Sequence, residues 1–247
     1  DFAVSAQGDL VHHIQEAMFQ LWWRLQGGEH VRKRQIPQAI RLFKTAGLSL
    51  PWQRASSAAD EVPVPSRAGL LLRDNVLHRG QIERAYLKAI GSARHEVVIA
   101  NAYFLPGRRL RKALMHAAQR GVRVRLLLQG RYEYFMQYHA ARPVYGSLLD
   151  AGVEIFEYDA SFLHAKVAVV DPNNERPWAT VGSSNLDPLS LLLAREANVV
   201  VADGAFAKRL HQRLCQVIET QSTPVVMDWW MALVPLWPMC LLSITEI

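Results

Sequence analysis

Apolar residues recur at helical spacing early in the chain, with Val11, Ile14, Met18, Leu21, Trp22 and Leu25 on one face. Asp9 is a candidate cap for this helix, and the Gly27–Gly28 pair is expected to stop it just after Leu25. Residues 1–6 alternate and read as a strand, and residues 37–43 can hold a short helix. The segment 45–66 then turns rich in Ser, Ala and Pro and reads as a linker, the best internal boundary.

Beyond residue 67 the alternation sharpens. Leu70–Arg73 is a short strand candidate, and residues 81–93 form a helix with Ile82, Ala85, Tyr86, Ala89 and Ile90 on one side. A buried-strand run, EVVIA at 96–100, leads through FLPG into a helix over 108–120. Gly121 and the strand VRVRLLLQ follow, which makes a βαβ unit. Residues 145–151 and 153–158 repeat helix and strand. Strands over 164–170 and 178–181 flank DPNNER, a hairpin signal, before a strand at 197–201 and a helix at 204–220. The pattern predicts an α/β fold with a mixed, mostly parallel sheet flanked by helices.

Composition narrows the classes without changing that picture. Of 247 residues, 50% are hydrophobic and 20% charged, enough for a sizeable core and wrong for a disordered chain. Two cysteines, with no CxxC, argue against a Cys-based metal site and suit a reducing compartment. The net charge of +6 favours an anionic partner, nucleic acid or anionic membrane. The chain starts DFAVSAQ, with no initiator Met and no signal peptide, and reads as a piece of a longer polypeptide. The tail VVMDWWMALVPLWPMCLLSI is apolar and Trp-rich, but Asp228, Pro235 and Pro238 argue against a regular span. An interfacial or re-entrant anchor is the preferred reading, ahead of a hairpin packed on another part of the protein.

The chemistry gathers in HAKVAVVDPNNERPWATVGSSNLDPLSLLLAREANVVV. His164 and Lys166 are two apart on a predicted strand, so they share a face. Gly182 permits tight approach, Ser183 and Asn185 again share a face, and Glu196 opens the next strand. An imidazole, an ammonium, a hydroxyl, an amide and a carboxylate together suit a bound phosphate. Lys166, Asn185 and Ser183 would hold it while His164 transfers a proton or attacks phosphorus, with Glu196 fixing the His164 tautomer. A His-x-Lys alone is usually a solvated strand face; the conjunction with Gly-Ser-x-Asn lifts this one above that reading. Tyr103, Arg109 and Arg131 are weaker candidates for substrate contact, since packing or solvated loop ends explain them equally well.

His-x-Lys followed by four residues and Asp171, then Gly182-Ser183-x-Asn185, resembles the signature of the phospholipase D superfamily. The surrounding NAYFLPG, AAQRGVRVRLLLQG and LLDAGVEIFEY are similar to the second lobe of bacterial cardiolipin synthases of the B type. The resemblance implies a phosphatidyltransferase working through a phosphatidyl-histidine, with His164 as acid/base, Lys166 and Asn185 on phosphoryl oxygens, Ser183 near them, Glu196 orienting the histidine and Asp171 structural. It implies no cofactor and no metal.

By the same resemblance, residues 1–44 are trailing elements of a first phospholipase D-like lobe and 67–224 the second lobe. Residues 225–247 become a membrane-associating tail. The expected partners are anionic phospholipids, the membrane surface and the missing first lobe rather than nucleic acid. The expected location is the cytoplasmic side of the bacterial inner membrane, the protein being peripheral or tail-anchored. Two departures stand out. Ten residues, 172–181, separate Asp171 from Gly182 where six are usual, and this chain carries one such motif where the family uses two. A hydrolase or nuclease of the same superfamily, and an inactive isolated lobe, are the competing expectations.

Overall fold

The computed structural model describes residues 1–45, 68–74, 78–131 and 144–226. It divides into two compact units, Val4–Leu70 and Asp1–Ala3 with Leu71–Ile247.

In the smaller unit, α1 (Asp9–Arg32) packs against α2 (Ile36–Thr45). The expected stop at the glycine pair is not used. The helix runs through Gly27, which is buried, and ends where Arg34 takes a left-handed φ of 59°. There the amides of Lys33, Arg34 and Gln35 close on the carbonyls of Glu29, Val31 and His30. Two glycines cost a helix interior about 2 kcal/mol; the turn that reverses the chain lies at 33–35, so helical continuity wins. Residues 1–6 form no strand, and Asp9 is the first helical residue rather than its cap. Met18, Trp22 and Leu25, three of the predicted apolar face, are more than half exposed. Of the expected linker 45–66, Thr45 closes α2 and the remainder lies outside the described residues.

The larger unit is built on an eight-stranded sheet in the order β1-β7-β6-β5-β2-β3-β4-β8. Its elements in chain order are β1 (Ala68–Arg73), α3 (Gln81–Ser92), β2 (Glu96–Asn101), α4 (Arg108–Gln119), β3 (Arg123–Gln129) and a short helix α5 over 144–150. Then follow β4 (Glu154–Tyr158), β5 (Lys166–Val170), β6 (Trp178–Gly182), α6 (Pro188–Leu192), β7 (Glu196–Val201), α7 (Gly204–Gln221) and β8 (Ser222–Pro224).

The expectation of a mostly parallel sheet is corrected. β2, β3 and β4 are parallel, because helical crossovers join them, but β5 lies antiparallel against β2. The pairs β5–β6, β6–β7 and β4–β8 are antiparallel too. No crossover helix separates β4 from β5 or β5 from β6, so nothing forces those strands to run the same way. The sheet is mixed and mostly antiparallel.

The main core lies on one face. Val97, Ile99, Val124, Leu126, Leu128, Ala168 and Val170 pack there against Ile82, Tyr86 and Ile90 of α3, Leu110 and Leu114 of α4, and Leu148 of α5. Tyr86 meets Trp178 edge to face at 5.3 Å. Helix α7 packs against strands from across the sheet through buried Ala207, Leu210, Leu214 and Val217. Among the described residues no helix is long and apolar enough to cross a membrane. Most of the Trp-rich tail, from residue 227, lies outside them.

Candidate active site

The antiparallel register brings the C-terminal end of β2 to the N-terminal end of β5, with Asn101 opposite Lys166. Lys166 is the first residue of β5 and is buried, at 6% exposure. His164 stands two residues before the strand rather than within it, and its side chain is largely exposed. The shared face of His164 and Lys166 is solvated only at this end. One step further along, Ala168 and Val170 are in the main core, so Lys166 marks its rim.

Residues 101–105 tie the two halves of the motif together. The Ala102 N–H donates to the carbonyl of Ala165, between His164 and Lys166, at 2.9 Å. The Tyr103 N–H donates to Asn185 Oδ1 at 3.4 Å, and the Leu105 N–H to the Leu186 carbonyl at 3.0 Å. Asn101 Oδ1 accepts from the Leu186 N–H at 3.1 Å in a buried bond. Tyr103 therefore borders the site through its backbone, which holds the Asn185 carboxamide.

Gly182 has a steric reason to be glycine. It opposes Asn198 in β7, and a Cβ there would overlap the Asn198 carboxamide and the Ala197 carbonyl. Asn198 is buried; its Oδ1 takes the Ser184 N–H at 3.3 Å and its Nδ2 donates to Thr180 Oγ1 at 3.4 Å. This fixes the turn that presents Ser183 and Asn185.

The Ser183 hydroxyl donates to the Glu196 carboxylate and accepts from the Ala197 N–H at 3.1 Å. Glu196 is thus engaged by Ser183, while His164 Nδ1 lies 3.0 Å from the Asp1 carboxylate. With a carboxylate as acceptor the Nδ1 proton is the donor, which leaves Nε2 for proton exchange. The segment leading to Glu196 is pinned by buried Arg73, whose guanidinium donates to the carbonyls of Leu191 and Ala194.

Asp171 sits at the far end of β5 with a left-handed φ of 47°. Its carboxylate accepts from the N–H groups of Arg94, His95 and Glu96 at 2.8, 2.9 and 2.9 Å. Burial pushes its pKa up, but these backbone donors outweigh that and hold it below the ordinary range. Next to it, Glu96 accepts from Arg125 at 2.7 Å and from His211 at 2.6 Å. Burial opposes its charge as well, and those two partners hold its carboxyl low.

Arg109 is an exposed residue in the first turn of α4. Arg131 is committed elsewhere, donating to the carbonyls of Asp159 and Ala160 at 3.0 and 2.9 Å. Sequence reasoning missed Asn101 and Asn198. An amide closing an otherwise buried strand, or facing a glycine across a hairpin, is the signal that marks them.

A mixed α/β sheet with His-x-Lys at the start of one strand and Gly-Ser-x-Asn at the end of its hairpin partner defines a phospholipase D-like lobe. The fold is similar to that of Nuc from Salmonella typhimurium, a phospholipase D family member, with TM-score 0.53 and 21% identity over 65% of this chain and 98% of that one. It is also similar to phosphatidylserine synthase from Haemophilus influenzae Rd KW20, with TM-score 0.53 and 13% identity over 71% of this chain and 44% of that one. The chain belongs to the family described as "Cardiolipin synthase, PLD-like domain", whose model matches residues 86–218.

Among curated proteins it is 46% identical to cardiolipin synthase B of Escherichia coli K12 over 188 residues, 72% of this chain and 44% of that protein. It is 36% identical to cardiolipin synthase 2 of Bacillus anthracis over 57% of this chain and 27% of that protein. The chain spans less than half the length of these relatives.

Proposed function

We propose that this chain supplies the second catalytic motif of a cardiolipin synthase, which transfers a phosphatidyl group between phospholipids with phosphatidylglycerol as donor. The observation that carries the reading is the family match over 86–218, a span that takes in His164, Lys166, Ser183, Asn185 and Glu196.

In-line displacement at a phosphodiester needs a nucleophile and a leaving-group acid on opposite sides of phosphorus. A histidine from the other motif attacks; the N–P bond forms and the P–O bond to the leaving alcohol breaks. His164 Nε2 gives that oxygen its proton. In the second step His164 takes a proton from the acceptor hydroxyl, whose oxygen attacks phosphorus and releases the histidine. Lys166 and Asn185 hold the non-bridging oxygens, with Ser183 beside them.

The carboxylates follow a common spacing. Asp1 precedes the start of α1 by eight residues, as Glu196 precedes the start of α7. With His164 served by Asp1, Glu196 is the matching carboxylate for the histidine of the other motif. The +6 net charge supports anionic phospholipid and the membrane surface as partners, on the cytoplasmic side of the bacterial inner membrane.

The test is the full-length parent on liposomes containing phosphatidylglycerol. Cardiolipin should form, and His164→Ala should lower the rate by at least about 1,000-fold. Phosphatidic acid released in place of cardiolipin would make the protein a hydrolase. Undiminished activity in His164→Ala would remove that residue from the chemistry.

A further inference from the structure

Asn101 is wholly buried, and its two amide atoms have unequal fates. Oδ1 accepts the Leu186 N–H at 3.1 Å, whereas Nδ2 has no hydrogen-bond partner among the described residues. The orientation of the amide is not arbitrary. The Leu186 N–H requires an acceptor, so the oxygen must face it and the NH₂ group must face away.

A buried donor left unmade costs more than an average hydrogen bond returns, and such groups call for an explanation in a ligand or a function. Across the sheet from Asn101 stands Lys166, directly opposite in the antiparallel register of β2 and β5. Directly opposed residues place their Cβ atoms about 5 Å apart on the same face. An amide donor and an ammonium thus share one desolvated spot at the rim of the core. Two donors cannot bond each other; an anion between them bonds both. The Asn185 carboxamide is tied to the same strand end through Tyr103, so the spot adjoins the Gly-Ser-x-Asn turn.

We propose that Asn101 is a further phosphoryl-binding residue. Its Nδ2 donates to a non-bridging oxygen of the group that Lys166 holds, and its Oδ1 locks the turn bearing Asn185. This rests on the reading of Lys166 as the phosphate ligand. The ligand class is a tetrahedral oxyanion bearing at least one terminal oxygen, as a phosphodiester does. Asparagine suits the position because it supplies an acceptor and a donor on one short side chain. Aspartate in its place would keep the bond to Leu186 and turn a donor into a repelling charge.

The experiment is a titration of the ¹⁵N-labelled 247-residue chain with inorganic phosphate, following side-chain amide resonances and measuring affinity by calorimetry. The Asn101 NH₂ pair is expected to shift along the same saturation curve as binding. Asn101→Asp, which keeps the Leu186 bond but replaces the Nδ2 donor with a carboxylate, and whose fold is checked from its ¹⁵N–¹H spectrum, is expected to weaken phosphate at least 10-fold. Lys166→Ala should weaken it comparably. Binding that depends on Lys166 but leaves the Asn101 resonances unmoved overturns the role of Asn101 alone, its NH₂ then serving a buried water. Absence of any Lys166-dependent binding overturns the phosphate reading of Lys166 and this inference together.

Discussion

Ser183 and Glu196 are bonded to each other across the connection between β6 and β7, hydroxyl to carboxylate, with the Ala197 N–H closing the loop on the same hydroxyl. The pair fixes two candidate site residues at once, so neither is independent of the other. A double-mutant cycle of Ser183→Ala and Glu196→Gln should show a coupling of about 1–2 kcal/mol in urea denaturation. Additive effects would mean the pair contributes nothing jointly.

Asp171 should make stability depend on acid. Its carboxyl titrates below its ordinary value of about 3.9 because three backbone N–H groups outweigh the cost of its burial. Below that ordinary value the unfolded chain binds more protons than the folded one. The stabilisation is therefore complete above about pH 4 and is lost as pH falls through the depressed folded value. Asp171→Asn places an NH₂ group against a backbone N–H and should cost about 1–3 kcal/mol at pH 7. It should also flatten the acid limb of a stability–pH curve, measured by urea denaturation between pH 2.5 and 7.

The Glu96–Arg125 pair predicts an asymmetry. Both side chains are largely buried, with the Arg125 guanidinium bridging Glu96 and the Cys215 sulfur at 2.7 and 3.0 Å. Arg125→Met leaves a largely buried carboxylate facing His211 alone and should cost about 3 kcal/mol. Adding Glu96→Gln should recover part of that loss. Thermal melts of the single and double variants decide it; a double variant no more stable than Arg125→Met would refute the uncompensated charge as the cause.

Gly182→Ala forces a methyl group onto the Asn198 carboxamide and the Ala197 carbonyl. The strain should destabilise the fold by about 1–3 kcal/mol. Asn198→Ala made alongside it should relieve the side-chain overlap but not the backbone one. Chemical denaturation of the three variants separates these contributions.

Much of this fold is written in its apolar periodicity. The strands 96–101 and 123–129 and the helices 81–92, 108–119 and 204–221 fall where the pattern puts them. The direction of β5 was not legible, because seven residues between Tyr158 and Lys166 hold no element that dictates a crossover. The end of α1 differs from the pattern because Gly27–Gly28 is a stop only where the chain turns, and here it turns at Arg34.

At the site, the residue types of the motif were legible, but their partners were not. The residue pattern pairs Glu196 with His164, whereas in the structure Ser183 holds Glu196 and Asp1 meets His164 across more than 160 residues of sequence. No local pattern encodes such a pairing. Asn101 and Asn198 are set by cross-strand register, which periodicity leaves undetermined.

The antiparallel placement of β5 gives the motif's spacing a mechanical meaning. Lys166 and Asp171 lie at opposite ends of one strand, about 17 Å apart at some 3.4 Å per residue. The four residues between them act as a ruler, with the candidate site at one end and the lock on Arg94–Glu96 at the other. Deleting any one of Val167–Val170 would rotate the remainder to the wrong face and pull one end off its mark. The polar tip beyond Asp171 lies past the lock, so its length can drift freely while the ruler cannot.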